Sequence, residues 1–416
     1  MIPTRQYHLV TLGCPKNEVD SDKLAGTLVA DGMVSTDRPG DADLIVVNTC
    51  AFVEDARRES IDTVLALADQ RRDGARLVVT GCMAERYGTE LADELPEVDQ
   101  VVGFGVPIAL GKTRSNGAPP PAMDLLNLPR PASTRPWAYV KAAEGCDRAC
   151  GYCAIPSFRG PQRSRSPESI LAEVDGLGVR EVVLVAQDLA AYGRDQGVGE
   201  KAIVALVGAV ADRVDWVRLL YLYPSEVTDP LVDAVCGSGV PYFDLSLQHV
   251  SRPLLRRMRR WGDGDRFSAL VERIRRREPD ATFRSNFIVG YPGETEEDHD
   301  ELLAFVADAG LDWCGFFAFS EEVGTHAEGL DGAVAAPLVT ERLRELGELQ
   351  DAITASKRDA LIGRQVEVLV DEPGWGRTHR EAPEIDGLVE VPADLPVGEF
   401  ATLTVTGAAG PDLEAA

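Results

Sequence analysis

The sequence has little of what would mark a membrane protein, a secreted protein or a nucleic-acid-binding protein. No uninterrupted apolar run reaches the ~18 residues that a membrane-spanning helix needs, and the N-terminus lacks a basic segment followed by an apolar stretch. Positive charge is scarce, since 42 Lys and Arg stand against 68 Asp and Glu and the net charge is −26. Such a chain is poorly suited to holding a polyanion and better suited to attracting a basic partner. We therefore expect a cytoplasmic protein that binds no membrane.

Histidines are few, and the five present show no metal-ligand spacing. Cysteines number eight, and in a reducing cytosol their thiolates bind metal rather than form disulfides. Two of them, Cys236 and Cys314, lie in apolar contexts and are expected in the core. The other six form a compact triad and a dispersed triad: Cys146, Cys150 and Cys153, and Cys14, Cys50 and Cys82. Two triads suggest two metal clusters.

The compact triad has the spacing CxxxCxxC, within the segment EGCDRACGYC. Three thiolates on one short loop can hold a 4Fe-4S cluster, and three ligands leave one of its four irons open to a substrate or cofactor. The alternatives are a zinc site, which would want a fourth ligand at regular spacing, or a chance grouping of buried thiols. With Tyr152 just before its last cysteine, the motif resembles the signature of the radical S-adenosylmethionine (SAM) superfamily.

Each cysteine of the dispersed triad ends a short apolar run, and helix-like periodicity follows the first two: the runs are YHLVTLGC, DLIVVNTC and RLVVTGC. Alternating strands and helices predict a parallel sheet. Because all strands of such a sheet point the same way, the three cysteines would lie along its carboxyl edge, where open α/β sheets bind ligands. The alternative is that each cysteine is a small buried hydrophobe at a strand end. Three equivalent positions favour a second three-cysteine cluster.

The length of 416 residues suggests roughly three domains at about 150 residues each. We predict an α/β protein with an N-terminal open, Rossmann-like parallel-sheet domain at 1–120. A proline-rich stretch at 112–136 indicates a boundary or connector near 105–135. Six further strand and helix repeats at 132–361 predict a partial (βα)6 barrel of the TIM type, whose chemistry would lie at the carboxyl ends of its strands. Alternating apolar residues and Gly/Pro turns at 362–416 predict a small antiparallel β-barrel.

The chain resembles the methylthiotransferase family over nearly its whole length. TLGCPKNEVDSD, NTCAFVEDARRESID and VTGCMAE resemble the cysteine motifs of that family's N-terminal domain. GCDRACGYCAIPSFRG resembles its radical SAM loop, and THREAPEIDGLV resembles the start of a TRAM domain. GCPKNEVDS, IPSFRG and LSLQHVSRPLLRRMRR are closer to the RimO branch, which modifies a ribosomal protein, than to the tRNA branch.

The resemblance implies an enzyme that converts an aspartate of the small-subunit ribosomal protein S-twelve to 3-methylthioaspartate. It implies two 4Fe-4S clusters, on Cys146, Cys150 and Cys153 and on Cys14, Cys50 and Cys82, with SAM as both radical source and methyl donor. An unactivated C–H bond has no useful acidity, so a general base cannot open it, whereas a radical can. A low-potential electron donor and a sulfur donor are implied as further partners.

Five residues are candidate SAM contacts. Gln187 and Asp188 end a predicted barrel strand, although a strand cap and turn would explain them equally. Gly290 and Gly293 stand in NFIVGYPGETEED, which resembles a SAM-contacting strand end of related barrels, although glycine in a turn needs no ligand. Arg165 follows the cluster loop, as do Arg159 and Arg163, and one of the three could pair with the carboxylate of SAM or of the target aspartate, although solvated arginines are the more common case. The run RRMRR at 256–260 suggests either an RNA contact or, as we favour, the polar face of a helix.

Two other functions stay open from the sequence. The first is a tRNA adenosine methylthiotransferase, which the acidic charge disfavours because tRNA is a polyanion. In residues 361–416 three arginines stand against eleven acidic residues, which is unlike the basic, aromatic grooves of small barrels that bind nucleic acid. The second is a non-enzymatic iron-sulfur or zinc protein.

Overall fold

The computed structural model describes residues 5–108 and 124–416, which fold into two compact units. The first unit contains the described residues up to 132 together with Ala143–Asp147 and Cys153–Gly176. The second contains Ser133–Ala142, Arg148–Tyr152 and Leu177–Ala416. The predicted end of the first domain at residue 120 lies outside the described residues, as does the first part of the stretch 112–136. The three domain limits therefore stay predictions.

A five-stranded parallel sheet in the order β2-β1-β3-β4-β5 forms the centre of the first unit. Its third strand reads LIVV and is buried on both faces, as strands between two helical layers are. Leu44 and Val46 pack into one core cluster, and Ile45 and Val47 pack into the other. The elements are β1 Gln6–Thr11, α1 Pro15–Ala30, β2 Val34–Ser35, β3 Leu44–Thr49, α2 Glu54–Gln70, β4 Arg76–Gly81, α3 Cys82–Glu94 and β5 Gln100–Val101.

The chain then passes through β6 (Trp137–Lys141), which belongs to the second unit, and returns to the first. There β7 (Ala143–Glu144) and β8 (Arg163–Ser164) form a short antiparallel pair on either side of the compact cysteine motif. Helix α4 (Ile155–Arg159) lies between them, and α5 (Pro167–Leu177) follows. Phe158 of α4 packs against the core cluster of the N-terminal sheet. The segment after the motif is therefore fixed to the sheet that carries the dispersed triad.

The second unit begins with six parallel strands in the order β13-β12-β11-β10-β9-β6, an open sheet of the predicted barrel type. Sequential order with helical crossovers is the pattern that curls a parallel sheet toward a barrel. The remaining elements of this sheet are β9 Glu181–Val185, α6 Glu200–Ala211, β10 Trp216–Leu222, α7 Asp229–Cys236, β11 Tyr242–Gln248, α8 Arg252–Arg257, α9 Gly264–Arg277, β12 Thr282–Val289, α10 Glu296–Ala309, β13 Trp313–Ala318 and α11 Ala336–Asp359.

The C-terminal residues form a closed five-stranded barrel in the order β14-β15-β16-β18-β17. Four of its strand pairs are antiparallel as predicted, and β16 with β18 is parallel. Its core consists of alternating residues such as Val366 and Val368. The strands are β14 Gln365–Glu372, β15 Trp375–Arg377, β16 Val389–Glu390, β17 Phe400–Ala409 and β18 Asp412–Ala415. The predicted fold class is thus confirmed in all three parts.

Four neighbouring strands of the six-stranded sheet carry alternating charges near their first residues: Glu181 on β9, Arg218 on β10, Asp244 on β11 and Arg284 on β12. Arg218 Nε lies 2.8 Å from Glu181 Oε1, and Arg284 Nη1 lies 3.2 Å from Asp244 Oδ1. We call these four residues the charged ring. Buried charges are tolerated where they pair and hydrogen-bond.

Two charged residues of the C-terminal barrel pair with members of the charged ring. Arg377 Nη1 lies 2.7 Å from Glu181 Oε2, and Asp386 Oδ1 lies 3.5 Å from Arg284 Nε. These contacts place residues 377–386 against the amino ends of the strands. The carboxyl ends, where barrel chemistry takes place, are the opposite end of the sheet.

Across the described ranges, every helix is too short or too polar to span a bilayer.

Candidate functional site

The three cysteines of the dispersed triad lie at the carboxyl ends of three neighbouring strands. Cys14 follows β1 and is the N-cap residue of α1, Cys50 directly follows β3, and Cys82 is the first residue of α3 after β4. Since β1, β3 and β4 are adjacent, the outer two chains stand about 10 Å apart. The strand order reverses beside β1, which is where open α/β sheets bind ligands. The predicted convergence of these residues is therefore present.

Two glycines allow the chain to turn where the cysteines meet. Gly13 has a φ of +94°, and a Cβ on it would stand 2.8 Å from Cys50 Cβ. Gly81 has a φ of +91°, and a Cβ on it would stand 2.6 Å from the backbone of Thr49. Both positions need a residue without a side chain, for conformation and for space. The two glycines therefore permit the close approach of the backbones around Cys14, Cys50 and Cys82.

Asn17 and Arg159 complete the surroundings of the dispersed triad. Asn17 Nδ2 donates to the carbonyls of Leu12 (2.8 Å) and Thr49 (3.1 Å), which ties α1 to two strand ends. Arg159, at the end of α4, donates from Nη2 to Cys82 Sγ at 3.0 Å and to Asn17 Oδ1 at 2.8 Å. Its side chain is 3% exposed. A buried cation therefore contacts a sulfur of the triad.

Arg159 also has two acidic partners. Its Nη1 lies 2.8 Å from Glu144 Oε1 and 3.4 Å from Asp20 Oδ2. The guanidinium stands over the ring of Phe104, 4.4 Å from its centroid. All of these residues belong to the first unit. The planar group is thus held from several directions.

The three thiols differ in proton affinity. Burial raises the pKa of Cys14, but Lys16, Arg159 and backbone N–H groups at the start of α1 outweigh it and lower that pKa below its usual value. Burial raises the pKa of Cys50 to about 12 and also raises that of Cys82, against the opposing effect of Arg159. Cys14 is therefore the thiol that most readily loses its proton. Metal binding would release protons from the other two.

The compact triad lies on a loop that both units share. Cys146 and Cys153 belong to the first unit, where the Cys146 N–H donates to the Gly160 carbonyl at 3.1 Å. Cys150 belongs to the second unit, and Arg260 Nη1 donates to its Sγ at 3.4 Å. Gly151 is anchored in the second unit, donating to the Met258 carbonyl at 2.7 Å. Each of the three cysteines is partly exposed.

Aromatic and charged side chains line the carboxyl ends of the strands in the second unit. The guanidinium carbons of Arg148 and Arg260 stand 3.8 and 4.2 Å from the ring centroid of Tyr223, which follows β10. Arg148 also donates to Asp188 (2.6 Å) and Glu226 (3.0 Å). Cation and ring contacts of this kind stabilise a desolvated arginine.

Backbone strain is present at the same end of the sheet. Tyr221 and Gln248 have φ values of +67° and +73°, which are rare for residues with side chains. Both lie beside irregularities in strand pairing, in β10 and β11. Such residues cost about 1–3 kcal/mol each and cluster at functional sites.

The five candidate SAM contacts lie in different surroundings. Gln187 and Asp188 follow β9 at the carboxyl end, and Asp188 is buried. A Cβ on Gly290 would stand 2.5 Å from Val339, and the Gly293 N–H donates to the Gly332 carbonyl at 2.7 Å. Arg165 belongs to the first unit, where it pairs with Glu173 at 2.7 Å. Their role as SAM contacts stays a prediction.

No local sequence pattern identifies Arg260 as a site residue. The run at 256–260 predicts the polar face of a helix, whereas Arg260 lies past the end of α8, is 9% exposed and contacts Cys150. Arg259 before it has a φ of +54°, a turn that redirects the chain. Arg159 was one of three arginines proposed for a carboxylate, and its contact with Cys82 was not predicted.

Both donor sets suit iron. Three cysteine thiolates per site are the ligands of iron-sulfur clusters. Among residues 5–108 and 124–416, no group of three or more His, Cys, Asp or Glu side chains is arranged to hold a metal ion. A 4Fe-4S cluster presents a separate iron to each cysteine, so its ligands stand further apart than those of one ion. The convergence of Cys14, Cys50 and Cys82 around the Gly13 turn fits the larger group.

Comparison with known families defines the class. The model of Uncharacterized protein family UPF0004 matches residues 6–103, that of the Radical SAM superfamily matches 140–306, and that of the TRAM domain matches 362–416. The chain is a radical SAM protein with these two flanking regions. A solved radical SAM methyltransferase, TsrM from Kitasatospora setae, aligns at 14% identity and a TM-score of 0.48 over 76% of this chain and 75% of its own.

Relatives of known name narrow the class. The ribosomal protein uS12 methylthiotransferase RimO of Kineococcus radiotolerans is 42% identical over 99% of this chain and 96% of its own length. The proteins of the same name from Moorella thermoacetica and Sorangium cellulosum are 42% and 43% identical, over 96% and 99% of this chain and 96% and 90% of their own. The chain belongs to the RimO family of ribosomal protein uS12 methylthiotransferases, which confirms the resemblance in the cysteine motifs.

Proposed function

We propose that this protein is a radical SAM methylthiotransferase that adds a methylthio group to the β-carbon of an aspartate of ribosomal protein uS12. The observation that carries the proposal is the convergence of Cys14, Cys50 and Cys82 at the ends of three adjacent strands, in a chain that also has the CxxxCxxC loop. An enzyme that inserts sulfur needs a place to hold it besides the place where the radical is made. Two separate triads supply both.

The two triads would hold one 4Fe-4S cluster each: Cys146, Cys150 and Cys153 on the loop, and Cys14, Cys50 and Cys82 on the sheet. When bound, the loop cluster and SAM would supply the radical that takes the β-hydrogen, and the sheet cluster would supply sulfur. A second SAM would supply the methyl group. A low-potential electron donor and a sulfur donor are the further partners.

Asp188 is the candidate SAM contact with the most support. Its Oδ2 accepts from Arg148, which fixes the carboxylate in place, while its buried Oδ1 accepts no hydrogen bond from any described residue. A buried acceptor without a donor is costly unless a ligand supplies one. Gln187 stands beside it. Gly290, Gly293 and Arg165 have less support, because the contacts described for them are to Val339, Gly332 and Glu173 and none shows a buried acceptor like Asp188 Oδ1.

The surface of the C-terminal barrel supports a basic protein as the substrate. All of residues 362–416 are described, and there Arg377 and Arg380 pair with Asp371 and Asp280, which leaves Arg364 as the one exposed cation. The exposed acidic residues of the same range are Glu367, Glu372, Glu384, Glu390, Asp394, Glu399 and Glu414. Such a surface attracts a basic ribosomal protein and repels tRNA. We place the enzyme in the cytoplasm, where thiols stay reduced.

Iron analysis and triad variants test the cofactor assignment. Purified without oxygen and reconstituted, the chain should hold about eight irons, the total of two four-iron clusters. Replacing Cys150 with Ala should abolish SAM cleavage, while Cys82→Ala should leave cleavage largely intact and stop sulfur insertion. A chain with far fewer irons, or a Cys82→Ala variant that loses both activities, would contradict the division of labour.

Product analysis tests the substrate. The reduced enzyme is incubated with SAM and either a uS12 peptide containing the aspartate or tRNA, and the products are weighed by mass spectrometry. A methylthio gain on the peptide is expected. A gain on tRNA and none on the peptide would overturn the assignment.

A further inference from the structure

Arg159 belongs by sequence to the compact motif but by contact to the dispersed triad. It lies six residues after Cys153, yet it donates to Cys82, 77 positions earlier, at 3.0 Å. The contact is enforced locally: Phe158 packs into the core of the N-terminal sheet, and the neighbouring arginine side chain is 97% buried beside Asn17 and Glu144. An arginine removed from water to this extent is held for its contacts.

Arg260 has the corresponding position in the second unit. Its Nη1 donates to Cys150 Sγ at 3.4 Å, its Nη2 donates to the Ser246 carbonyl, and its plane covers Tyr223. The residue is 9% exposed. In the described part of the chain Arg260 has no ion pair, whereas Arg159 pairs with Glu144 and Asp20. Each cysteine triad therefore has one buried arginine on one of its sulfurs.

We propose that Arg159 and Arg260 are positioning residues, each of which orients one sulfur of a triad and compensates the negative charge of the cluster bound there. Arg159 serves the dispersed triad, and Arg260 serves the compact triad. The inference rests on the proposed function, because it assumes a cluster at each triad.

The physical argument concerns the charge of the cluster. Hydrogen bonds to the sulfurs, net charge and solvent exposure set the reduction potential of a cluster. A donor and a positive charge next to a ligating sulfur favour the reduced, more negative form. Because Glu144 and Asp20 offset the charge of Arg159, its effect comes mostly from the hydrogen bond to Cys82. Arg260 has no such offset, so its loss should shift the potential more.

The experiment requires each cluster to be observed alone. One parent protein carries Cys→Ala at all three compact positions, and the other carries Cys→Ala at all three dispersed positions. Each parent receives R159Q or R260Q, which remove the charge and keep a polar side chain. Exposed neighbouring arginines provide matched controls. R163Q is the control for R159Q, since the Arg163 side chain is 57% exposed, and R259Q is the control for R260Q, since Arg259 is exposed and also lies just after α8. Iron, sulfide and the potential of the cluster are measured, the last by titration followed with EPR.

R159Q should make the sheet cluster harder to reduce and leave the loop cluster unchanged, and R260Q should do the reverse. We expect about tenfold less reduced cluster at a fixed potential for R260Q, which is about 59 mV for one electron, and a smaller shift for R159Q. The controls should match their parents. Should R159Q or R260Q lose iron, R159K or R260K should retain it, because lysine keeps the charge.

Three results would overturn the inference: no shift with either variant, equal shifts in both clusters, or a shift as large with R163Q or R259Q. A parent protein that binds no iron at its intact triad would instead overturn the proposed function.

Discussion

Glu181 is the residue of the charged ring whose loss we expect to cost most. It is fully buried and bridges Arg218 and Arg377 at 2.8 and 2.7 Å. In E181Q both guanidinium groups stay buried. The amide oxygen that faces Arg218 is neutral, so Arg218 keeps only uncharged acceptors, this oxygen and the His379 carbonyl at 2.9 Å, while the new amide NH2 faces Arg377, which keeps Asp371. Removing one member of a buried ion pair costs about 3–5 kcal/mol. With a slope of about 3 kcal/mol per molar urea, the unfolding midpoint should fall by about 1–1.7 M.

Tryptophan fluorescence reports this transition, because three of the five tryptophans lie where the six-stranded sheet meets the C-terminal barrel. Trp137 lies 5.7 Å from the Arg377 guanidinium, Trp216 packs edge-on against Phe400, and Trp313 Nε1 donates to the Arg380 carbonyl at 2.8 Å. The emission of these three tryptophans should change when the six-stranded sheet and the C-terminal barrel separate on unfolding.

The matched control is an exposed ion pair between the same two parts of the chain. Arg135 lies 2.7 Å from Glu384, with side chains 47% and 44% exposed. Because solvent screens this pair, E384Q should cost less than about 1 kcal/mol. If E181Q shifted the urea midpoint no more than E384Q does, the reasoning on the charged ring would be refuted.

Two further changes have distinct outcomes. Burial raises the pKa of Glu381, but Arg358 and the hydrogen bonds from Thr378 together outweigh burial and lower that pKa to about 2, against 4.5 when unfolded. Its stabilising effect is therefore complete above pH 4.5 and is lost as the pH falls toward 2. Urea unfolding at several pH values should therefore show that the difference in free energy of unfolding between wild type and E381Q falls by about 3 kcal/mol from pH 6 to pH 2. A difference that stays constant over this range would contradict the prediction. G13A should lower iron binding at the sheet triad, because its Cβ would meet Cys50, whereas G32A, also at positive φ but with no atom within 4 Å, should keep it. Iron analysis in the parent without the compact cysteines decides this, and equal losses would argue against a packing role for Gly13.

The convergence of the dispersed triad could be predicted from the sequence because it follows from a rule of topology. Parallel strands end at one edge, so the topology alone brings Cys14, Cys50 and Cys82 to the same edge of the sheet. The confirmed fold class follows from the same alternation of strands and helices.

The arginines on the sulfurs could not be predicted, because no local pattern records a contact between residues 77 or 110 positions apart. In the sequence Arg260 is one of four arginines in RRMRR, and only the turn at Arg259 separates it from α8. The position of residues 377–386 against the strand starts was also missed. A signal was present, since Glu181, Arg218, Asp244 and Arg284 are charges inside otherwise apolar strands.

The charged ring also bears on how the protein is made. Arg377 follows Glu181 by 196 residues, so a ribosome adding about 5–20 residues per second needs about 10–40 seconds to supply it. During that interval Glu181 lacks Arg377, so we expect the amino end of the nascent sheet to stay hydrated until the C-terminal barrel supplies this charge. In biogenesis the C-terminal barrel would then be the part that completes the strands made before it.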